Sequence, residues 1–451
     1  MTKRGELEDF RTPSDAIHYL YDLRLFGTKL GLDNPRRLAA CFDNPQEDLN
    51  FIHVAGTNGK GSVCAMLENI YRTAGYRVGL FTSPHLVDFR ERIQVNREWL
   101  PEQQMLRLVS QTREALARFD KARHPTFFEV VVILALLHFR ESQCDLVIWE
   151  TGMGGRLDAT NIVTPQLSII TNVDLDHQKW LGDTIKAIAW EKAGIIKPSV
   201  PSLSGATNEE AESIIRNRAA EIQSPHQHLS LKELDQFAPD FEIALPGHHQ
   251  KRNASLVIKS TEILERSFPI SPEALRLGLR TADWPGRIQV FQHEGQTIVL
   301  DGAHNEPSIA ALCAHLEEAW PNTPKSVLLG ALEDKGIERW LKFLVHLSKH
   351  FFLAPVKSAR SIDPTNLAAQ IAEISGDAET AIFDSFDIAL QSALGTTPIL
   401  IICGSLYLIG EALASFTRIA LEDTHTSLND WEKAAKERRT PKPVGNSRRS
   451  P

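Results

Sequence analysis

His53-Val-Ala-Gly-Thr-Asn-Gly-Lys-Gly-Ser62 is the stretch on which the reading of this chain turns. The apolar, β-branched run Phe51 to Ala55 leads into it. Behind it, Val63, Met66, Leu67, Ile70 and Tyr71 recur at helical spacing, and Gly75 stands where a C-terminal cap belongs. A glycine-rich turn between a strand and a helix is the setting a phosphate-cradling loop requires. Its glycines let backbone N–H groups approach phosphate oxygens, the helix N-terminus adds partial positive charge, and Lys60 neutralises the terminal phosphates. The strict pattern GxxxxGK[ST] is not met. Only Thr57 and Asn58 separate Gly56 from Gly59, and Gly61 intervenes between Lys60 and Ser62. A turn that merely starts a helix would fit the local residues as well; the strand before and the helix after favour a nucleotide site.

Outward from this loop, residues 46 to 204 alternate short β-branched runs (FIHVA, RVGLFTS, DLVIWE, LSIIT) with amphipathic stretches, the pattern of a doubly wound, mostly parallel α/β sheet. A second α/β region runs from Arg287 to about Ile419, with strand candidates GRIQVF, QTIVL, KSVLLG and PILIIC. Trp284-Pro285-Gly286 marks the hinge. The expected division is a nucleotide domain over 1–284, a smaller domain over 285–420, and a solvated tail over 421–451 that carries too little apolar surface to order itself. No repeat of fixed period is visible.

Length and composition fit this division. The 451 residues are enough for two domains, and the shares of 42% apolar and 24% charged residues are those of a globular protein. The longest apolar stretches, Phe127 to Phe139 and Pro398 to Gly410, are too short to span a bilayer. Met1 to Phe10 lacks the apolar core of a signal peptide, so the expected compartment is the cytoplasm. Cys41, Cys64, Cys144, Cys313 and Cys403 are scattered without CxxC or CxH spacing, which indicates neither a disulfide framework nor a zinc site. The net charge of -8 disfavours bulk nucleic-acid binding, so an anionic ligand must be held locally.

In open α/β sheets ligands bind outside the carboxyl ends of the strands. RVGLFT ends at Ser83, DLVIWE ends at Glu150, and LSIITN leads into Asp174-Leu-Asp-His177. These oxygen and imidazole groups are candidates to converge beside the phosphate loop, where Mg²⁺ would bridge phosphates while keeping several waters. Taken singly, Glu150 reads equally as a turn cap and His177 as a structural histidine. Lys192, near the end of the following helix, reads on its own as a dipole-neutralising cation. In the second region a strand ends at Asp301-Gly-Ala-His-Asn305, more polar than a plain turn needs. His249-Gln250, Asn253 and Arg287 add polar groups near where two domains would meet.

With these residues in view, the chain resembles the folylpolyglutamate synthase / dihydrofolate synthase family, a branch of the Mur-type ATP-dependent amide ligases. The motifs, in order, are HVAGTNGKGS, FTSPHLVDFRERI, ETGMGGRLDATN, DHQKWLGDTIKAIAWEKAGIIKP, LPGHHQKRNAS, DGAHN and CGSLYL, and they cover nearly the whole chain. The resemblance implies a P-loop ligase domain followed by a smaller Rossmann-like α/β domain, with the substrates in the cleft between them. It implies that ATP phosphorylates a carboxylate to an acyl phosphate, which the amine of L-glutamate attacks to give an amide, ADP and phosphate. By motif, Thr57, Asn58, Gly59, Lys60, Gly61 and Ser62 correspond to the ATP phosphate loop, and Asn253, Arg287 and Asp301 to further ATP contacts. Ser83, Glu150 and His177 correspond to magnesium ligands. Lys192 corresponds to a lysine carbamylated by CO₂, an anion able to support a second Mg²⁺. His304 and Ser405 correspond to the glutamate and acyl-phosphate end, with Lys60, Lys192 and His304 as the catalytic set. Thr28, Lys29, Phe128, Leu157, Asp158 and Ala159 correspond to the contact region of a dihydropteroate or reduced-folate substrate. A monomer is the family-based expectation.

Two departures stand out. Glu306 intervenes between DGAHN and Pro307, which puts the start of that helix in question, and Val200 to Pro246 is short for the small extra sheet the family often places there. Two alternatives compete with a folate ligase. A Mur-type ligase acting on a different acceptor acid would share the loop and lysine motifs, but those enzymes carry a substrate domain before a loop that here begins at Gly56. A non-catalytic nucleotide-binding module or switch would give no reason for the DGAHN cluster, and an NKxD-type guanine motif is absent.

Overall fold

The computed structural model describes residues 10–27, 31–236 and 241–417. Thr28, Lys29 and the tail from 421 lie outside the described residues. Among those described, the strands form two sheets. The first holds β1 (Phe51–Ala55), β2 (Val78–Phe81), β3 (Ile93–Val95), β4 (Glu98–Trp99), β5 (Leu146–Glu150), β6 (Leu167–Ile170), β7 (Ser202–Ser204) and β8 (His226–His228). Their order is β4-β3-β2-β5-β1-β6-β7-β8, parallel from β2 to β8 and antiparallel only at the β2-β3-β4 edge. The second holds β9 (Gln289–His293), β10 (Gln296–Leu300), β11 (Lys325–Leu329), β12 (His350–Leu353), β13 (Glu379–Ile382) and β14 (Ile399–Cys403), in the order β13-β12-β11-β14-β10-β9, with β9 antiparallel.

Strand alternation makes the first sheet two-faced. Phe51, Phe81, Val147 and Trp149 pack under the helices Pro13–Asp22, Glu102–Leu116 and Phe127–Glu141. Ile52, Val54, Leu80, Ile148 and Ile169 pack under Lys60–Thr73, His248–Ile263 and Pro272–Arg280. On Lys60–Thr73 the apolar stripe is buried as its spacing predicts, and Gly75 takes a φ of +95° after the last turn. Gly278 lets the last of these helices meet that stripe closely, since a Cβ there would stand 2.6 Å from the Cα of Ile70.

Polar and edge strands escape a reading by apolar runs, and the bounds of others shift. GRIQVF yields a strand only from Gln289, because Gly286 and Ile288 have positive φ and the chain then returns as a hairpin through Glu294-Gly295. ETAI adds the edge strand β13, whose exposure leaves no continuous apolar signal, and HFFL adds β12 beside it, an interior strand whose short run Phe351-Phe352-Leu353 the sequence reading leaves out. The segment after Val200 adds β7 and β8 to the main sheet, where Ser202 is buried and bonded to Ser224 and His226. Glu306 proves harmless: the helix Glu306–Ala319 starts there, Asn305 caps it, and Pro307 lies in the first turn, where no N–H partner is needed.

Candidate active site

One cavity of about 980 Å³ lies along the carboxyl edges of both sheets. β1 delivers the chain to Gly56, whose Cβ position would collide with Thr171 at 1.8 Å, and Gly59, at φ +81°, would collide with Asn253 at 2.6 Å. The glycines are thus dictated by close approach. Asn172 holds the turn: its side-chain oxygen accepts from the N–H groups of Thr57 (3.1 Å) and Asn58 (2.8 Å), while the Thr57 hydroxyl bonds the Asp174 backbone. The N–H groups that open the helix from Lys60 have no intrahelical partner and remain for an anion. Among the described residues, Lys60 Nζ donates only to the carbonyls of Gly56 (3.0 Å) and Thr57 (3.2 Å). Ser62 accepts from Gln250 (3.1 Å), which in turn accepts from Asn253 (2.9 Å), tying the loop to the helix His248–Ile263.

The neighbouring strand ends bring Ser83, Glu150 and His177 to the same cavity. Glu150 is buried at 4% exposure and its carboxylate accepts from the Ser83 N–H at 3.0 Å. Burial raises its pKa, against the opposing pull of Lys60 and the Ser83 N–H. His177 sits at φ +51° with its side chain 41% open to the cleft, and enclosure together with Lys335, Lys60 and Lys192 holds the imidazole down at about 3, that is, neutral. Among the described residues no group of three His, Cys, Asp or Glu gathers into a metal cage. A cation here would depend on phosphate and water for its remaining ligands, the habit of Mg²⁺.

Lys192 is not among the cavity-lining residues. It is buried behind the wall at 3% exposure, without an ion pair to a described residue, and burial plus the Lys60 charge bring its ammonium down to about 7. A lysine so placed is half neutral near physiological pH and can react as an amine, which the reading of it as a dipole-neutralising surface cation did not anticipate.

Facing the loop is the turn after β10. Asp301 accepts from the N–H groups of Ile288 and Ala303, both at 2.7 Å, and burial raises its pKa against Arg287. His304 donates Nδ1–H to Gly302 (2.7 Å), which leaves Nε2 as the acceptor; burial and Lys335 hold it at about 4. Ser405 is buried and accepts from the Tyr407 N–H at 3.2 Å, at the start of the helix Leu406–Thr417. On the far side, the Phe128 ring fills the space that a Cβ at Gly152 would need, beside Leu157 and Ala159. Asp158 lines the cavity too, but its carboxylate also holds its own turn by accepting from Met153 and Thr160.

The sequence reading gave no role to Asn172 or Lys335, and it quoted Asp176 and Asn305 only as members of polar segments, without a role of their own. Asp176 pairs with Lys335 Nζ at 2.8 Å across the cleft, and Asn58 and Asn305 exchange amide hydrogen bonds at 3.0 and 3.3 Å. Asp176 could have been taken from its place before His177. Lys335 carries no local signal.

Comparison with known proteins agrees with this arrangement. Residues 54–235 match the Mur ligase middle domain and 286–406 the Mur ligase glutamate ligase domain. The dihydrofolate synthase/folylpolyglutamate synthase of Bacillus subtilis is 36% identical over 425 residues, covering 89% of this chain and 98% of that protein. The chain belongs to the folylpolyglutamate synthase / dihydrofolate synthase family. The solved structure of a folylpolyglutamate synthase from Thermotoga maritima superposes with a TM-score of 0.79 at 31% identity, over 91% of this chain and 98% of that one. An Escherichia coli structure in complex with DHPP and ADP gives 0.81 at 28% identity, over 92% and 99%. No helix of the described residues is long and apolar enough to cross a membrane.

Proposed function

We propose that this ATP-dependent ligase joins L-glutamate to the carboxylate of dihydropteroate, of a reduced folate, or of both. The observation that carries the reading is the meeting, in one cavity, of an anion-ready loop, a lysine held by backbone carbonyls, strand-end groups suited to Mg²⁺, and the polar turn after β10. A carboxylate is a poor electrophile. Its oxygen attacks the γ-phosphorus of ATP, the bond to the β-phosphate oxygen breaks, and ADP leaves. The glutamate amine then attacks the acyl carbon, the bond to the phosphate breaks, and the amine loses its proton. Lys60 and the N–H groups from Thr57 to Ser62 bind the phosphates and stabilise charge on the transferring group. Asn253, Arg287 and Asp301 bind the rest of the nucleotide. His304 offers Nε2 to the attacking amine beside Ser405, and Phe128, Leu157, Asp158 and Ala159 receive the pterin end, with Thr28 and Lys29 as further contacts.

Ser83, Glu150 and neutral His177 fit Mg²⁺, which supplies charge neutralisation at the phosphates when bound. Buried Lys192, near 7, suits carbamylation by CO₂ and, as a carbamate, support for a second Mg²⁺. The division 1–284, 285–420 and 421–451, a monomer in the cytoplasm, and partners limited to small molecules, without nucleic acid or membrane, complete the reading; the net charge of -8 supports the exclusion of nucleic acid. Replacing Lys60 with Ala tests it: ATP-dependent product formation should vanish in folded protein, and substantial turnover would refute the loop assignment.

A further inference from the structure

The two sheets are joined covalently by the short stretch around Trp284-Pro285-Gly286, yet a second connection lies at the phosphate loop itself. Asn58 and Asn305 exchange their amide hydrogen bonds, Asn305 Nδ2 donates to Asp176 Oδ2 at 3.4 Å, and Lys335 Nζ donates to Asp176 Oδ1 at 2.8 Å. Asn58 and Asp176 belong to the edge of the first sheet. Asn305 caps the helix after β10, and Lys335 ends the turn after β11. The side chains of Asp176 and Lys335 are only 11% and 7% exposed, and both line the cavity. Such burial shields the pair from the screening that makes surface ion pairs weak, and truncating one partner would leave the other charge uncompensated.

We infer that Asp176, Asn305 and Lys335 are positioning residues of the ligase: together they set the His304 turn against the phosphate loop, at the separation the amine and the acyl phosphate need in order to meet. The inference rests on the ligase reading above. Each sheet has apolar clusters of its own, with Leu86 and Val87 also packing against one of those of the second, so neither sheet depends on this polar contact to fold. What the contact fixes is the register of one edge on the other, and a displacement of about 1 Å at a reacting centre costs about 10²-fold in rate.

The test uses the full chain with Lys335→Met, Lys335→Arg and Asn305→Asp. The last keeps a capping side chain for its helix but sets a carboxylate against Asp176, so the fold is retained. Three quantities are read: kcat and KM for glutamate-dependent phosphate release, Kd for Mg·ADP by calorimetry, and the solution radius by small-angle scattering. Lys335→Met should lower kcat about 10²-fold while Kd for Mg·ADP moves less than about threefold. Lys335→Arg, whose guanidinium can still reach Asp176, should recover at least about a tenth of the wild-type kcat. Asn305→Asp should lower kcat by about tenfold or more and enlarge the radius. Wild-type-like kcat in Lys335→Met or Asn305→Asp would overturn the inference, as would an Arg variant no better than Met with Mg·ADP affinity falling in step. If the wild type shows no turnover with any acceptor, the ligase reading fails; the contact is then judged by scattering, where an unchanged radius in Asn305→Asp rejects it.

Discussion

At the carboxyl edge of the first sheet, Lys60, Glu150 and Lys192 are enclosed with few bonds to described residues, whereas at the edge of the second Asp301, His304 and Ser405 are each bonded by backbone groups of their own domain. Among the described residues Lys60 reaches only carbonyls, Glu150 is buried against Lys60 and one N–H group, and Lys192 is buried without an ion pair to a described residue. Across the cleft, Asp301 accepts from two N–H groups, His304 donates to Gly302, Asn305 caps its helix and Ser405 accepts from Tyr407. The difference separates two kinds of work. The first edge holds charge in readiness for phosphate and Mg²⁺, and the second is a rigid frame that presents a few atoms.

The contrast predicts that changes at the first edge remove activity and spare stability, while changes at the second also cost stability. Lys60→Ala should lower phosphate release by about 10³-fold or more with an unchanged melting temperature; a large drop in melting temperature would break the contrast. Glu150→Gln should lower turnover about 10²-fold and raise the Mg²⁺ concentration needed for half-activity, read from a magnesium titration.

Lys192→Met sharpens the comparison further, because here activity and stability should move in opposite directions. The folded ammonium titrates near 7, below its ordinary 10.5, so the unfolded chain holds a proton the folded chain has shed. Stability therefore rises with pH from about 7 toward 10.5, and the burial penalty is complete below 7. Methionine removes that penalty. Compared with wild type freed of CO₂, the variant should melt higher at pH 6 and close to it near the upper end of the window, while losing turnover; a variant less stable at pH 6 would contradict the burial penalty on Lys192. The smallest effect on rate is expected at the second edge. Asp301→Ala leaves the N–H groups of Ile288 and Ala303 without their acceptor and should lower stability by about 2 kcal/mol, with a raised KM for ATP, both measurable in one denaturant and kinetic series.

How much could be read beforehand follows the same divide. The first edge was legible because its elements are local: a fully buried, mostly apolar strand, a glycine turn, a helix with an apolar stripe, and polar residues directly at strand ends. The solved relatives and the matched Mur ligase domains bear out the family and the α/β architecture. β7, β8 and β13 were invisible because serine, histidine and edge-exposed residues carry no apolar run. Asn172 and Lys335 were invisible for a different reason. Each gains its role from a partner more than 100 residues away in sequence, as the separations of 115 and 159 residues to Thr57 and Asp176 show.

The most direct test is glutamate- and ATP-dependent phosphate release by the purified protein, offered dihydropteroate, then tetrahydrofolate, then neither. Release with one or both acceptors, and none without, is the predicted result; the acceptor that works shows whether dihydrofolate synthesis, polyglutamylation or both take place. Silence with both acceptors, in protein that binds Mg·ADP, would contradict a folate ligase and point to a different acceptor acid on the same fold.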